Sequence, residues 1–336
     1  MCIRDRYIPI TIFTGFLGTG KTTIIKKLVE QFPKKNFLLL VNEFGESNIE
    51  SQFYGQLNNL IIQEYSYKCL CCIEDIDLSS EIIQNLQKHQ KIDEIIIEAS
   101  GTSNLIPIVE QINQLSKKIS VFLKSIVCII DSKSFLNRLN QYKTIEYQLK
   151  IADLIILNKI DNIDIQTINT IKSTIKQLNP EGEIITTGDA SFIYNIHQYT
   201  RDESAIDMIQ KYKKINLHPD KFEFFIYKNK NQMDYFKIIN LFNNLPNEIV
   251  RVKAIFSFGN FSKSKNKKYL LQISNGVVTE NISDWTKEEI RENVILFVGE
   301  KIDKEYIKNH LDLSTYVAPK TILGKILKSI NNFLNQ

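Results

Sequence analysis

The sequence predicts an α/β protein, with a doubly wound and mostly parallel sheet in its first part and a smaller α+β domain behind it. Three observations lead to this prediction. Short runs that are apolar throughout alternate with helical patterns over residues 7–195, as is typical of parallel strands covered on both faces. A glycine-rich turn joins the first of these strands to the first helix. Beyond residue 220 the strands follow each other at spacings that suit hairpins.

The predicted elements follow one another in an order that supports this division. In the first domain, strands are predicted at 8–13, 37–41, 60–62, 94–97, 126–130, 154–157 and 183–186, and helices at about 22–32, 77–89, 104–117, 144–151 and 164–178. In the second domain, strands are predicted at 222–227, 250–258, 269–273 and 293–298, and helices near 231–243 and 303–311. The regular alternation ends before the second domain, so the two parts differ in architecture.

Four segments result from these changes in pattern. They are an α/β domain over residues 7–195, a polar and basic connector over 196–220, an α+β domain over 221–313 and a helical tail over 314–336. The tail places its apolar residues, from Ile322 to Leu334, on one helical face. Such a basic amphipathic helix can contact a membrane surface or a partner, or it can pack on its own domain or on another subunit.

Composition and charge limit the kind of protein this can be. Of 336 residues, 43% are apolar and 24% are charged, and the net charge of +4 is too small to indicate nucleic-acid binding. The sequence shows no signal peptide and no apolar run of about 18 residues, so we expect a cytoplasmic protein without a transmembrane segment. Clustered cysteines favour a reducing compartment over a disulfide framework. Residues 1–6 can be encoded by the end of a transposon used in library preparation, and we expect them to lie outside the fold.

The segment 15–22, G-F-L-G-T-G-K-T, matches the phosphate-binding pattern G-x-x-x-x-G-K-[ST] between a strand and a helix, and we call it the P-loop. Its glycines let the backbone curl so that successive N–H groups face phosphate oxygens. Lys21 is expected to act in catalysis by reaching the β- and γ-phosphates, and Thr22 to bind Mg²⁺ through its hydroxyl. The residues predicted to hold the nucleotide here are Gly15, Gly18, Thr19, Gly20, Lys21, Thr22 and Thr23.

A carboxylate closes the apolar strand at residues 94–97, and Ala99-Ser100-Gly101 comes directly after it. Ligands of open α/β sheets bind at the carboxyl ends of the strands, so this residue, Glu98, is expected to organise Mg²⁺ or the attacking water. Gly101 would let the backbone approach the γ-phosphate. Without the P-loop upstream, an ordinary strand-end glutamate would explain Glu98 as well.

Asn158-Lys159-Ile160-Asp161 follows the strand at 154–157 and matches the pattern N-K-x-D. Guanine presents N1–H and N2–H₂ as adjacent donors, and a carboxylate at Asp161 can accept both, whereas adenine offers no such pair. Asn158 would brace the loop and contact the base, and the stem of Lys159 would cover one face of the ring. Alone, the tetrapeptide is often a solvated turn; behind a buried strand and a P-loop it favours GTP over ATP.

Three cysteines lie within four positions, at Cys69, Cys71 and Cys72. In an extended segment Cys69 and Cys71 project to the same side, and Cys72 can join them at a turn. Soft thiolates in this arrangement suit Zn²⁺ and other thiophilic ions, with a carboxylate, a histidine, water or a partner's side chain as a fourth ligand. A buried cysteine-rich turn and a redox pair are the alternatives. Cys128, inside an apolar strand, is expected in the core.

The segment 42–46, N-E-F-G-E, follows the second strand at the same sheet edge as the P-loop. It places two carboxylates and a flexible glycine where a switch segment would lie. Glu43 or Glu46 could join the cysteine site as a metal ligand, or contact Mg²⁺ or the attacking water. A purely structural turn is the remaining alternative.

Five motifs in this order resemble the CobW family of metal-chaperone GTPases: G-F-L-G-T-G-K-T-T, V-N-E-F-G-E, C-L-C-C, I-I-I-E-A-S-G and Q-L-K-I-A-D-L-I-I-L-N-K-I-D. The resemblance covers about residues 7–312. It implies GTP hydrolysis, binding of Zn²⁺ or cobalt by the C-x-C-C thiolates, delivery of the metal to a client metalloprotein, and pairing of two copies as a homodimer. The chain departs from the family at Lys68, where glycine is usual, and it has no histidine-rich linker.

These motifs together predict a linked cycle. The γ-phosphate orders the segment 42–46, which leads toward the cysteines, so that nucleotide state and metal affinity are coupled. Hydrolysis then relaxes the segment and releases the metal to the client. Two alternatives are a non-catalytic scaffold that binds GTP and metal, and a small-molecule kinase, although such a kinase has no use for N-K-x-D.

Overall fold

The computed structural model describes residues 7–42, 49–55, 57–65, 78–89, 91–201, 220–259, 267–274, 276–286 and 289–317. The chain divides into two compact units, residues 1–221 and 222–336, which we call the first and second unit. Within the described ranges, no helix has the length and apolar character needed to cross a bilayer.

A seven-stranded sheet forms the centre of the first unit, and each strand runs parallel to its neighbours. The strands are β1 (Ile8–Thr14), β2 (Phe37–Asn42), β3 (Leu60–Tyr65), β4 (Glu94–Glu98), β5 (Val121–Asp131), β6 (Leu154–Asn158) and β7 (Glu183–Thr186), in the spatial order β3-β2-β4-β1-β5-β6-β7. The helices are α1 (Lys21–Gln31), α2 (Ile49–Tyr54), α3 (Leu78–Lys88), α4 (Ile106–Ser116), α5 (Phe135–Gln141), α6 (Lys143–Lys150), α7 (Ile165–Leu178) and α8 (Phe192–Gln198). The predicted doubly wound α/β architecture is confirmed.

The apolar strands are explained by a core on each face of this sheet. Successive side chains of a strand point to opposite faces, so a strand covered on both sides needs apolar residues at every position. In β4, Ile95 and Ile97 pack into the cluster on one face, and Ile96 packs into the cluster on the other. Helices α3 and α4 contribute to the first cluster, and α1 and α8 contribute to the second.

The structure extends some elements and adds others. Strand β5 begins at Val121 rather than at residue 126, because the polar Lys124 and Ser125 that interrupt its apolar run are nevertheless buried. Helices α2, α5 and α8 were not predicted because each is too short for a helical period to be recognised. The predicted domain boundary at residue 195 falls inside α8, whose Ile196 is buried in the core of the first unit.

The second unit contains a five-stranded antiparallel sheet with two helices on one face. Its elements are β8 (Glu223–Asn229), α9 (Tyr235–Asn243), β9 (Ile249–Phe256), β10 (Lys267–Ser274), β11 (Val277–Asp284), β12 (Asn293–Gly299) and α10 (Lys304–Leu313), with the strand order β11-β10-β9-β12-β8. The predicted α+β character is confirmed. Strand β11 was not predicted, because it lies at the edge and most of its side chains are exposed. Most of the predicted tail, residues 318–336, lies outside the described residues.

A buried group of charges lies where β4 and β5 begin, at the sheet edge opposite the P-loop. Glu94 is 1% exposed and forms ion pairs with Lys124 (3.1 Å) and Lys35 (3.5 Å). The Lys124 ammonium also donates to the backbone carbonyl of His197 at the end of α8 (2.6 Å). The His197 ring stacks on Phe32 and lies against the Lys35 ammonium. These contacts hold the last turn of α8 on the sheet.

The buried charges around His197 should make the stability of the first unit depend on pH. Burial lowers the pKa of His197 below 6.5, Lys35 and Lys124 lower it further, and Glu94 opposes them. The folded state therefore resists a proton that the unfolded state accepts, and the stability of the first unit should fall as the pH drops below about 6.5. Urea unfolding between about pH 5 and pH 7.5 should show a shallower loss for His197→Gln than for wild type. His310→Gln, which replaces an exposed histidine of the second unit, controls for the loss of one imidazole elsewhere in the chain. Identical curves for wild type and His197→Gln would contradict this assignment.

Candidate nucleotide-binding site

The P-loop connects the end of β1 to the start of α1 and depends on its glycines. Gly15, Gly18 and Gly20 have φ values of +133°, +77° and +100°, a region that side chains with a Cβ rarely adopt. A Cβ at Gly15 would lie only 2.1 Å from the carbonyl oxygen of Ile129 in β5. The loop can therefore take this path only with glycine at these positions.

Lys21 opens α1 and lies over the loop that precedes it. Its side chain is 5% exposed, and its ammonium donates to the carbonyls of Gly15 (2.7 Å) and Phe16 (3.4 Å). Thr23 is exposed in the same first turn. A cation held against a curled backbone at the N-terminus of a helix is an arrangement suited to anions such as phosphate.

Thr22 and Glu98 meet beside the P-loop. The Thr22 hydroxyl donates to one oxygen of the Glu98 carboxylate (3.0 Å), and the Tyr54 hydroxyl donates to the other. Glu98 is the last residue of β4 and is 3% exposed. A hydroxyl beside a carboxylate is the oxygen-rich donor set that Mg²⁺ prefers, so these residues fit that ion. The sequence did not reveal Tyr54, because α2 was not predicted.

The turn after Glu98 packs directly on the P-loop. A Cβ at Gly101 would lie 2.7 Å from the backbone nitrogen of Leu17, and 2.8 Å from its side chain. Glycine is therefore required for this close approach. The turn and the loop are in direct contact at this point.

The N-K-x-D segment is bonded to the same loop. The Asn158 amide donates to the Thr19 carbonyl (2.8 Å), and the Lys159 ammonium donates to the Gly18 carbonyl (2.8 Å) and to Asp131 (2.8 Å). Lys159 itself has a φ of +58°, so the chain turns sharply after β6. Asp161 is exposed two residues further on. The P-loop and the N-K-x-D segment are therefore joined by direct hydrogen bonds.

Asp131 was not identified from the sequence, although a signal was present. It is the last residue of β5, so it ends a strand in the same way that Glu98 ends β4. It is 5% exposed and forms an ion pair with Lys159. A search for carboxylates at strand ends would have found both residues.

The predicted metal ligands Cys69, Cys71, Cys72 and Glu43 lie outside the described residues. Within the part of the chain that the structure describes, no group of three or more histidine, cysteine, aspartate or glutamate residues could hold a metal. Cys128 is 1% exposed, and burial raises the pKa of its thiol to about 12. It is a protonated core residue at neutral pH, as expected from its apolar strand.

Comparison with known families agrees with this geometry. Residues 9–186 match the model of the CobW/HypB/UreG nucleotide-binding domain. The chain belongs to this family. Residues 222–314 match the cobalamin synthesis protein cobW C-terminal domain, so both units of this CobW-family chain have counterparts. The family predicted from the five motifs is confirmed.

Named relatives extend the comparison. The zinc-regulated GTPase metalloprotein activator 1 of Schizosaccharomyces pombe is 29% identical over 210 residues, which cover 59% of this chain and 51% of the activator. Zinc chaperone YjiA of Escherichia coli is 21% identical over 319 residues, covering 90% and 96% of the two chains. The crystal structure of Zn(II)-bound YjiA GTPase from E. coli has a TM-score of 0.46 and 18% identity, covering 93% of this chain and 100% of that one. The chain spans about half the length of several curated relatives that it matches.

Proposed function

We propose that this CobW-family chain hydrolyses GTP and uses the cycle to deliver a transition-metal ion, zinc or cobalt, to a client metalloprotein. The observation that carries the proposal is the direct bonding of Asn158 and Lys159 to the P-loop carbonyls. It supports a single site with phosphates at one end and a guanine at the other. The names of the relatives, a zinc-regulated GTPase metalloprotein activator and a zinc chaperone, agree with both halves of the proposal.

In the nucleotide half, the P-loop N–H groups and Lys21 hold the phosphates, and Asp161 accepts the two adjacent donors of guanine. The exposure of Asp161 leaves its carboxylate accessible to a base. Binding phosphate would exchange the bonds from Lys21 to Gly15 and Phe16 for stronger, charge-assisted bonds.

Hydrolysis needs positioning and electrostatic stabilisation more than covalent chemistry. Lys21 would stabilise charge on the transferred phosphoryl group, and Glu98 would orient the attacking water or the metal. Thr22 and Glu98 would hold Mg²⁺, which would neutralise part of the phosphate charge. Tyr54 fixes the Glu98 carboxylate, so this group is oriented before the reaction begins.

In the metal half, Cys69, Cys71 and Cys72 would bind the ion as thiolates, with Glu43 as a further ligand. The strand register supports their proximity to the nucleotide. Val41 in β2 pairs with Glu98 in β4, and Tyr65 in β3 pairs with Asn42 in β2. The chain therefore leaves β2 and β3 at the edge of the sheet where Glu98 lies, and both predicted metal-binding segments start there.

Nucleotide preference tests the GTP half. Asp161→Asn should weaken GDP binding about a hundredfold, because the guanine donors lose their charged acceptor, and should increase binding of xanthosine diphosphate. Asp164 is a matched control, since it is also exposed but caps α7 by accepting from the Thr167 amide (2.8 Å). Asp164→Asn should keep the wild-type preference for GDP in a fluorescence titration. Wild-type protein in which ATP competes with GDP on equal terms would refute the proposal.

Metal content tests the other half. Protein purified anaerobically with a GTP analogue and Zn²⁺ should hold stoichiometric zinc, and Cys69→Ser should lose it, because a serine hydroxyl is a poor substitute for a thiolate. The control is Cys128→Ala, which removes a buried core thiol and should retain the metal. Equal zinc in wild type and Cys69→Ser would exclude the cysteine site.

A further inference from the structure

Gln148 belongs to the Q-L-K-I-A-D segment, and the proposed function gives it no role. It lies in α6, is 2% exposed, and its amide nitrogen donates to the Gly101 carbonyl (3.0 Å). Its amide oxygen is buried and has no hydrogen-bond partner among the described residues. Burying an amide that makes a single hydrogen bond destabilises the fold. We therefore look for the role of Gln148 in its contact with Gly101.

The turn that Gln148 holds is in contact with the P-loop. A Cβ at Gly101 would lie 2.7 Å from the Leu17 nitrogen, so the two backbones touch. The Leu17 carbonyl accepts from Arg138 at 3.3 Å, and the Arg138 guanidinium lies 5.2 Å from the Phe16 ring centre. Helices α5 and α6 thus support both the P-loop and the turn after Glu98.

The end of α6 is fixed in a second way that does not involve the turn. The Asn179 side-chain amide donates to the carbonyls of Leu149 (2.7 Å) and Ala152 (2.8 Å). Gln148 and Asn179 are both buried amides that bond to backbone carbonyls, and each is 2% exposed. Of these two residues, only Gln148 bonds to the turn that contains Gly101. Comparing variants of the two therefore distinguishes an effect on the position of the turn from an effect on the stability of the fold.

We propose that Gln148 is a positioning residue that fixes the Gly101 peptide beside the γ-phosphate, so that the site distinguishes GTP from GDP. The inference rests on the proposed GTPase function. Asp161 would hold the guanine base and the P-loop would hold the β-phosphate. A change at Gln148 leaves both of these in place. Without the amide, the buried Gly101 carbonyl would lack its donor, and the peptide would turn to find another. The affinity for GTP and the rate of its hydrolysis would therefore fall, and the affinity for GDP would not.

The test is Gln148→Met, which keeps the size of the side chain and removes its donor. Affinities for GDP and for a non-hydrolysable GTP analogue, and the turnover number for GTP, are measured on the full chain. We expect GDP affinity within about twofold of wild type, and analogue affinity and turnover each lower by about tenfold. Thermal unfolding is followed in parallel as a check on folding.

Asn179→Ala is the matched control. It should lower the unfolding temperature but leave the ratio of analogue to GDP affinity at the wild-type value. If Gln148→Met leaves the ratio of analogue to GDP affinity unchanged, even with an equal fall in both affinities, the positioning role is overturned. Wild-type protein that binds neither guanine nucleotide would instead contradict the proposed function, and the inference with it.

Discussion

The curled backbone of the P-loop imposes the constraint on which the rest of the site depends. When successive N–H groups face a phosphate, the carbonyls face away from it and need donors of their own. Five consecutive carbonyls, at residues 15–19, accept side-chain hydrogen bonds from Lys21, Arg138, Lys159 and Asn158. These donors come from α1, α5 and the end of β6, so distant parts of the chain must meet around one loop. These bonds fix the path of the loop.

The order of the parallel strands makes this meeting possible. Strand β1, which leads into the loop, lies between β4 and β5, and β6 follows β5. The carboxyl ends of these strands carry Glu98, Asp131 and Asn158, and all three face the same edge of the sheet. Parallel pairing requires a crossover helix between strands, and the helices cover the apolar faces. The polar residues of the candidate site therefore lie at the carboxyl ends of the strands, and the apolar faces of the sheet stabilise the fold.

The local sequence pattern was sufficient to predict the position of residues that directly end or follow a strand. The P-loop, Glu98 and the N-K-x-D tetrapeptide each follow an apolar strand, so their position at the sheet edge could be inferred from sequence alone. Tyr54, Arg138 and Gln148 could not be found in this way. Their partners lie 44 to 121 residues away, and such contacts are decided by packing that a local pattern does not encode.

The same distinction explains the errors in the fold. Strand β11 has no apolar alternation because its place at the edge leaves most of its side chains in solvent, and its pairing with β10 defines it. Short helices such as α5 are held by their contacts with neighbouring elements rather than by helical period. The predicted boundary at residue 195 followed composition, whereas the chain remains on the sheet through Arg201, whose amide donates to the Lys124 carbonyl (2.8 Å).

We propose that nucleotide state and metal affinity are linked through the segments that leave β2 and β3 beside Glu98. The most direct measurement is the zinc affinity of the full chain, by competition with a chelating dye, in the presence of a GTP analogue and of GDP. We expect zinc to bind about fivefold or more tightly with the analogue than with GDP, and Cys69→Ser to abolish this difference. By linkage, zinc should raise the affinity for the analogue relative to GDP by the same factor. Zinc affinities that agree within error in the two nucleotide states would contradict this linkage.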